Sequence, residues 1–352
     1  MNLNMNLNMN LNMNLNINYI NYINIMVDNM NNKTILLFGG SGSLGYEIAK
    51  QYIENNTIYN FSRDECKHWN MKLDFNHHSN LNFIIGDIIN KQKVENSIIR
   101  VNPDIIIIAA AMKHVDQCEI NAEQCINTNM LGVKNILNII ELHKDKLALK
   151  TTIFVSTDKA CSPINTYGMA KAISEQLMIE KAYYIKSIKF VNIRYGNVLN
   201  SRGSIIPLLH NIGEDDRKEY FALTHKEMTR FVMTLSQSVD LIEYAILNGE
   251  SGETIIPELI SMKLIDLLEI FSEKYNKPIK VTSIRPGEKM LESLINPTQA
   301  GRIVEKNSYY HIKSIFDFKD TIDDSKLIDY NSKLNPLTKL ELHKYLIDKK
   351  LI

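Results

Sequence analysis

Arginine is scarce in this chain. Of 40 basic residues only eight are Arg, namely Arg63, Arg100, Arg194, Arg202, Arg217, Arg230, Arg285 and Arg302. A chain that uses Lys almost everywhere is free to reserve Arg for planar, bidentate contacts with phosphate or carboxylate. Cysteine is scarcer still, and Cys66, Cys118, Cys125 and Cys161 show neither a CxxC pair nor a His-paired spacing. That pattern argues against a metal site and reads as reduced thiols of a cytoplasmic protein. The formal net charge is +0, with no basic block and no aromatic-basic stripe. Nucleic acid and an anionic membrane are therefore not expected partners. A membrane span is not expected at the N-terminus either, where Asn occupies every second position and no basic region precedes an apolar core.

What is present begins with "MNLNMNLNMNLNMNLNINYINYINIMVDNMNNK", a four-residue repeat decaying into Asn-rich sequence. Residues 1–32 are expected to be a disordered, low-complexity tail outside the fold. From Lys33 the chain alternates apolar runs, "TILLF", "TIYNF", "LNFII", "DIIIIAA", "TTIFVS" and "IKFVNIR", with amphipathic segments at 43–55, 90–101, 120–143 and 166–184. Continuous Ile/Val-rich runs suit strands buried on both faces, and the alternation predicts an α/β fold with a doubly wound parallel sheet. Residues 33–200 would form this domain. Residues 201–352, where the rhythm loosens, would form mainly a smaller substrate-binding lobe, with some segments returning to the first domain. Helices are expected near 236–248, 261–275 and the C-terminus.

"TILLFGGSGSLGYEIAK" places Gly39, Gly40, Gly42 and Gly45 directly after the first strand and at the opening of the first helix. Glycines there allow a tight turn and let backbone N–H groups approach a pyrophosphate, which predicts a Rossmann dinucleotide site. The end of the second strand, "FSRDECK", offers Ser62, Arg63 and Lys67 to a 2′-phosphate and so favours NADP. Asp64 keeps NAD as the alternative. Asp87 in "IIGDI" would bind the adenine amino group or cap the next helix.

The chemistry is expected in "STDKACSPINTYGMAK". Tyr167 and Lys171 are one helical turn apart and share a face. An ammonium beside a phenol would lower the phenol's pKa and suit it to proton transfer. Thr157, Asp158 and Lys159 lie at the preceding strand end.

Taken in order, the glycine turn, "SRDE", "GDI", "AAAMKHV", "NTNMLG", "STDKA", YxxxK, "RYGNVLNSRGSIIP", "MTRF" and "RPGEK" resemble the configuration-inverting UDP-N-acetylglucosamine 4,6-dehydratases of the extended short-chain dehydrogenase/reductase family. "GDIIN" departs from the family at Ile89 and Asn90, and "RPGEKMLE" at Met290 and Leu291. The resemblance implies NADP held by Gly39, Gly40, Ser41, Gly42, Ser43, Leu44 and Gly45, by Ser62, Arg63, Lys67, Asp87, Ile88 and Ala109, and by Thr128, Asn129, Tyr167, Lys171 and Val198. It implies UDP-N-acetylglucosamine bound by Lys113, Asn197, Arg202, Arg230, Arg285 and Glu288, and a homo-oligomer assembled through Rossmann helices. Tyr167, assisted by Lys171, would take the 4-hydroxyl proton, with Thr157 hydrogen-bonding that hydroxyl. Lys159, at a lowered pKa, would take the carbon 5 proton, and a neutral Asp158 would protonate the departing 6-hydroxyl. Two other functions compete: a nucleotide-sugar 4-epimerase with no role for Lys159, and an NADP-binding interaction protein without turnover.

Overall fold

The apolar runs become neighbouring strands of one sheet. The computed structural model describes residues 30–317 and 329–352. Its first six strands are β1 (Thr34–Phe38), β2 (Thr57–Ser62), β3 (Leu81–Ile85), β4 (Ile105–Ile108), β5 (Thr151–Val155) and β6 (Lys189–Ile193). They lie side by side in the order β3-β2-β1-β4-β5-β6, all parallel. Thr254–Pro257 extends the sheet in parallel beside β6, and the antiparallel strands Tyr309–Ile312 and Ile303–Lys306 complete nine.

The sheet is buried on both faces because alternate residues of each run point opposite ways. Leu36 and Phe38 pack with Val94, Ile98, Ile136, Ile140 and Met178, from helices α3 (Lys91–Val101), α4 (Gly132–His143) and α5 (Thr166–Tyr184). Ile35 and Leu37 point the other way, onto Ile48 of α1 (Ser43–Tyr52) and Leu241 and Ala245 of α6 (Leu235–Asn248). Strand order reverses between β1 and β4. The carboxyl ends of those two strands therefore frame the crevice in which a doubly wound sheet binds its ligand.

A second sheet, made from Pro336–Leu337, Ile260–Lys263, Thr229–Met233 and Asn197–Val198, forms the smaller lobe. Helices Ile205–Glu214, Leu264–Tyr275 and Lys339–Asp348 close its core around Leu209, Phe271 and Leu346. No helix among the described residues is long and apolar enough to cross a membrane.

Three local differences from expectation have clear causes. Helix α2 (Glu65–Asp74) was not expected, because only His68 and Met71 of its ten residues are buried and the apolar period is too faint to see. Ser261 to Lys263, expected as the start of a helix, pair instead with Thr229, Arg230 and Phe231 as a strand. Most of the expected N-terminal tail lies outside the described residues, but its last part is packed: Met30 is buried against the β1 face and Asn32 N–H donates to Asn55 O at 2.7 Å.

Candidate active site

The glycine turn fits a dinucleotide. Gly39 has φ +90° and lies so close to the β4 exit that a Cβ would stand 2.5 Å from Ala110 N. A Cβ on Gly45 would come within 2.2 Å of Gly40 O, so α1 can approach the loop this closely only without a side chain. Helix α1 starts at Ser43 with no side-chain cap, leaving its first N–H groups to a ligand. Ser41, Ser43 and Lys67 line a cavity of about 390 Å³ at this mouth, with Tyr46, Asn70 and Arg202.

At the end of β2 the candidate residues are partly engaged with one another. Asp64, the alternative NAD ligand, caps α2 by accepting from Lys67 N–H at 3.0 Å, and its other oxygen holds Lys67 Nζ at 2.6 Å. Arg63 pairs with Asp87 at 3.6 Å, and Asp87 also accepts from Ile89 N–H at 3.1 Å. The cap of α3 is Asn90, not Asp87. Ser62 Oγ donates to Ser41 Oγ at 2.7 Å and lies 2.5 Å from His68 Nε2, which places a buried histidine at the expected phosphate position. His68 carries no signal in the sequence, because the apolar period of α2 is too faint to mark the helix that positions it.

Thr128 and Asn129 fall in a π-helical turn, Asn127–Leu131, between Ala122–Ile126 and α4. Asn129 spends its amide on one backbone unit: Oδ1 accepts from Met112 N–H at 2.8 Å and Nδ2 donates to Met112 O at 2.8 Å. It organises the loop after β4, where Ala109 and Lys113 lie. Thr128 Oγ1 accepts from Gln124 at 3.1 Å, and Ile88 is buried beside Val133 and Ile136 of α4.

The residues expected to be catalytic gather where β5 meets α5. Thr157 to Lys159 leave the strand in a short 3₁₀ turn, and α5 begins under an Asn165 cap that accepts from Gly168 N–H at 2.7 Å. Gly168 has to be glycine, because a Cβ there would lie 2.1 Å from Lys159 O. Helix and turn are thus pressed together. Thr157 Oγ1 donates to Asp158 Oδ1 at 2.9 Å and also meets the Tyr167 phenol. Lys159 Nζ donates to Asp158 Oδ1 at 3.0 Å and to Asn197 Oδ1 at 3.3 Å. Asp158 is fully buried, and its Oδ2 has no hydrogen-bond partner among the described residues.

Two electrostatic expectations are overturned. Tyr167 is not lowered: burial, then the charge of Asp158, push its phenol well above the ordinary value. Lys171 does not help it here, because its ammonium donates to Val155 O at 2.6 Å and lies 4.3 Å from the Phe154 ring centre. Lys159 is not lowered either. Burial disfavours its charge, but the carboxylates of Asp158 and Glu292 outweigh burial and hold it above the ordinary lysine range.

Lys171 is the group that shifts downward, to about 7, through burial. An unfolded chain protonates this amine up to about pH 10, so its burial costs stability most fully below about pH 7 and the cost fades as pH rises towards 10. Lys171→Met is therefore expected to raise the thermal midpoint of the cofactor-free protein at pH 6, and much less at pH 10. The gain is at most about 5 kcal/mol, less whatever is lost with the Val155 hydrogen bond. Melting curves at the two pH values check it.

The residues expected to bind substrate separate into two groups. Arg202 folds over the glycine turn: its backbone N–H donates to Ser43 Oγ at 2.9 Å, its guanidinium donates to Ser41 O, and Lys113 Nζ donates to Arg202 O at 2.5 Å. Arg230, Arg285 and Glu288 gather instead around one another, with Arg230 also close enough to Lys159 to oppose its charge. Glu288 Oε1 lies 2.9 Å from Arg285 Nη2 and 3.7 Å from Arg230 Nη2. Asn197 faces Lys159, and Val198 packs beside the β5 and β6 side chains. The 285–288 loop is tied to the head of α5, since Asn165 Nδ2 donates to Gly287 O at 2.8 Å. Two contributors were not foreseen. Glu292 brings a buried carboxylate 3.4 Å from Lys159 Nζ. Arg194, fully buried, grips Glu175 of α5 through two bonds of 2.5 and 3.1 Å, and also donates to Leu294 O and Gln299 Oε1.

A Rossmann sheet with a glycine turn after β1, a Tyr-x-x-x-Lys helix after β5 and a C-terminal lobe defines an extended short-chain dehydrogenase/reductase. The chain belongs to the polysaccharide biosynthesis protein family, whose pattern matches residues 35–314. It is 34% identical over 325 residues to a UDP-N-acetylglucosamine 4,6-dehydratase (inverting) from Campylobacter jejuni, covering 87% of this chain and 94% of the relative. It is 38% identical over 295 residues to a UDP-glucose 4-epimerase from Rickettsia typhi, covering 80% and 83%. The solved structure of Pen from Bacillus thuringiensis superposes with a TM-score of 0.84 at 30% identity, over 92% of this chain and 99% of Pen.

Proposed function

We propose that this chain is an NADP-dependent UDP-N-acetylglucosamine 4,6-dehydratase. Its product is a UDP-2-acetamido-2,6-dideoxy-4-hexulose inverted at carbon 5. The observation that carries the reading is the second acid–base pair, Lys159 Nζ 3.0 Å from Asp158 Oδ1, beside Tyr167. A simple epimerase has no task for it.

A bound nicotinamide supplies a reversible hydride acceptor for oxidation at carbon 4. Tyr167 takes the 4-hydroxyl proton, which is why its raised pKa has to be offset in the working complex. A ketone at carbon 4 makes the neighbouring carbon 5 proton removable. One transfer readies both remaining groups: when the Lys159 proton passes to Asp158, it leaves a neutral amine and a neutral carboxyl. Lys159 then accepts the carbon 5 proton, and Asp158 gives its proton to the 6-hydroxyl, which departs as water. Both groups return to their starting charges. Return of the hydride to carbon 6 and addition of a proton to the opposite face of carbon 5 complete the 4-hexulose, so the net change is the loss of one water.

Ser62, Arg63 and Lys67 at the end of β2 support NADP. The capping of α2 by Asp64 leaves that carboxylate less available to an NAD ribose. Exposed Met169, Ile173 and Tyr184 on α5 support a homo-oligomer joined through this helix. The competing 4-epimerase reading is favoured by the 38% identity to the Rickettsia typhi protein. Incubation of the purified chain with UDP-N-acetylglucosamine and NADP, followed by mass spectrometry, separates the two. Loss of the mass of one water is the expected result, abolished in Lys159→Ala. A product of unchanged mass would replace the dehydratase with the epimerase.

A further inference from the structure

Lys159 lies between two carboxylates, and the proposed chemistry uses only one of them. The second, Glu292, comes from the segment after the 285–288 loop. Its backbone is fixed by Ser332, whose N–H donates to Glu292 O at 2.8 Å and whose Oγ accepts from Glu292 N–H at 3.1 Å. Its side chain is buried, with Oε1 3.4 Å from Lys159 Nζ. Oε2 has no hydrogen-bond partner among the described residues, and Lys289 Nζ is 3.8 Å away. The charged groups facing it are Lys159 and Asp158 from the β5 exit, Arg230 from Thr229–Met233, and Lys289 from its own segment.

We propose that Glu292 is a positioning residue for the acid–base pair: its carboxylate competes with Asp158 for the Lys159 proton and sets how readily Lys159 becomes a neutral base. A buried carboxylate with one oxygen unpaired is costly unless a cation or a proton compensates it. Lys159 supplies the cation, and burial pushes the Glu292 carboxyl up, towards holding a proton itself. A proton moved from Lys159 to Glu292 leaves a neutral amine and a neutral carboxyl, with no change in the net charge of the pocket. When that proton passes on to Asp158 for the 6-hydroxyl and Lys159 takes up the carbon 5 proton, Glu292 is again the counter-charge.

The inference rests on the proposed role of Lys159, and its first test does not. Isotope-labelled lysine NMR of the cofactor-free protein follows the titration of Lys159 directly, with Lys159→Arg assigning the resonance. Removing the carboxylate charge in Glu292→Gln disfavours the ammonium, so the midpoint is expected to fall by about 1–3 pH units. The pH–rate limb assigned to the base should move the same way, and Glu292→Asp should restore much of the wild-type position. An unmoved Lys159 midpoint overturns the inference, whatever happens to kcat. Should Glu292→Gln fail to fold, Glu292→Asp serves alone, since its shorter side chain withdraws the charge and predicts a smaller fall. Full turnover in Lys159→Ala would instead reject the proposed reaction, leaving the titration result intact.

Discussion

Tyr167→Phe is expected to lower turnover about 10²–10⁴-fold, the range supplied by one well-placed acid–base group. The substitution removes one oxygen from a side chain that packs against Ala170, Cys118 and Cys125, so the apolar contacts of the ring survive. Cofactor affinity should fall far less than turnover, because Tyr167 is one of many expected cofactor contacts and the glycine turn and the β2 end are untouched. Quenched-flow or steady-state rates with UDP-N-acetylglucosamine, paired with a cofactor titration, check the expectation. Turnover within about tenfold of wild type would remove Tyr167 from the proton path and with it the proposed oxidation.

Arg194→Met is expected to cost about 3–5 kcal/mol of folding stability. The residue is 1% exposed, and Glu175 opposite it 2%, so removal leaves a buried carboxylate without its cation. Two backbone and side-chain partners across the 294–299 segment lose a donor as well. Glu175→Gln should be costly for the converse reason, leaving the guanidinium unpaired. The double change Glu175→Gln with Arg194→Met should recover much of the loss, because the uncompensated charge then disappears. Urea or thermal unfolding of the four proteins checks it. Additive losses would mean that the pair is not the source of the effect.

The contrast between these residues explains what the sequence could disclose. β1, β4 and β5 were legible because strands buried on both faces must be apolar without interruption. Thr157 to Lys171 were legible because strand end, turn and helix start lie within one short segment. Glu292 and Arg194 were not. Their meaning depends on partners brought together by the fold, as in the Asn165–Gly287 contact between residues 122 positions apart. An isolated Glu or Arg carries no pattern. The electrostatic expectations for Tyr167 and Lys159 failed for a related reason. Spacing along a helix gives proximity, but the sign of a pKa shift follows from burial and from every charge nearby. Lys171 turned out to face Val155 O, and Lys159 to lie between two carboxylates.

The π-helical turn at Asn127–Leu131 sets the phase of the helical segment around it. A regular helix advances about 100° per residue, and the wider turn, closing over five residues in place of four, lets the strip before it and the strip after it keep separate azimuths. The earlier strip keeps Cys125 against Tyr167, while the later one keeps Ile136 and Ile140 against the sheet. Shortening that turn by one residue would give a smoother rod, pointing one of its two faces the wrong way.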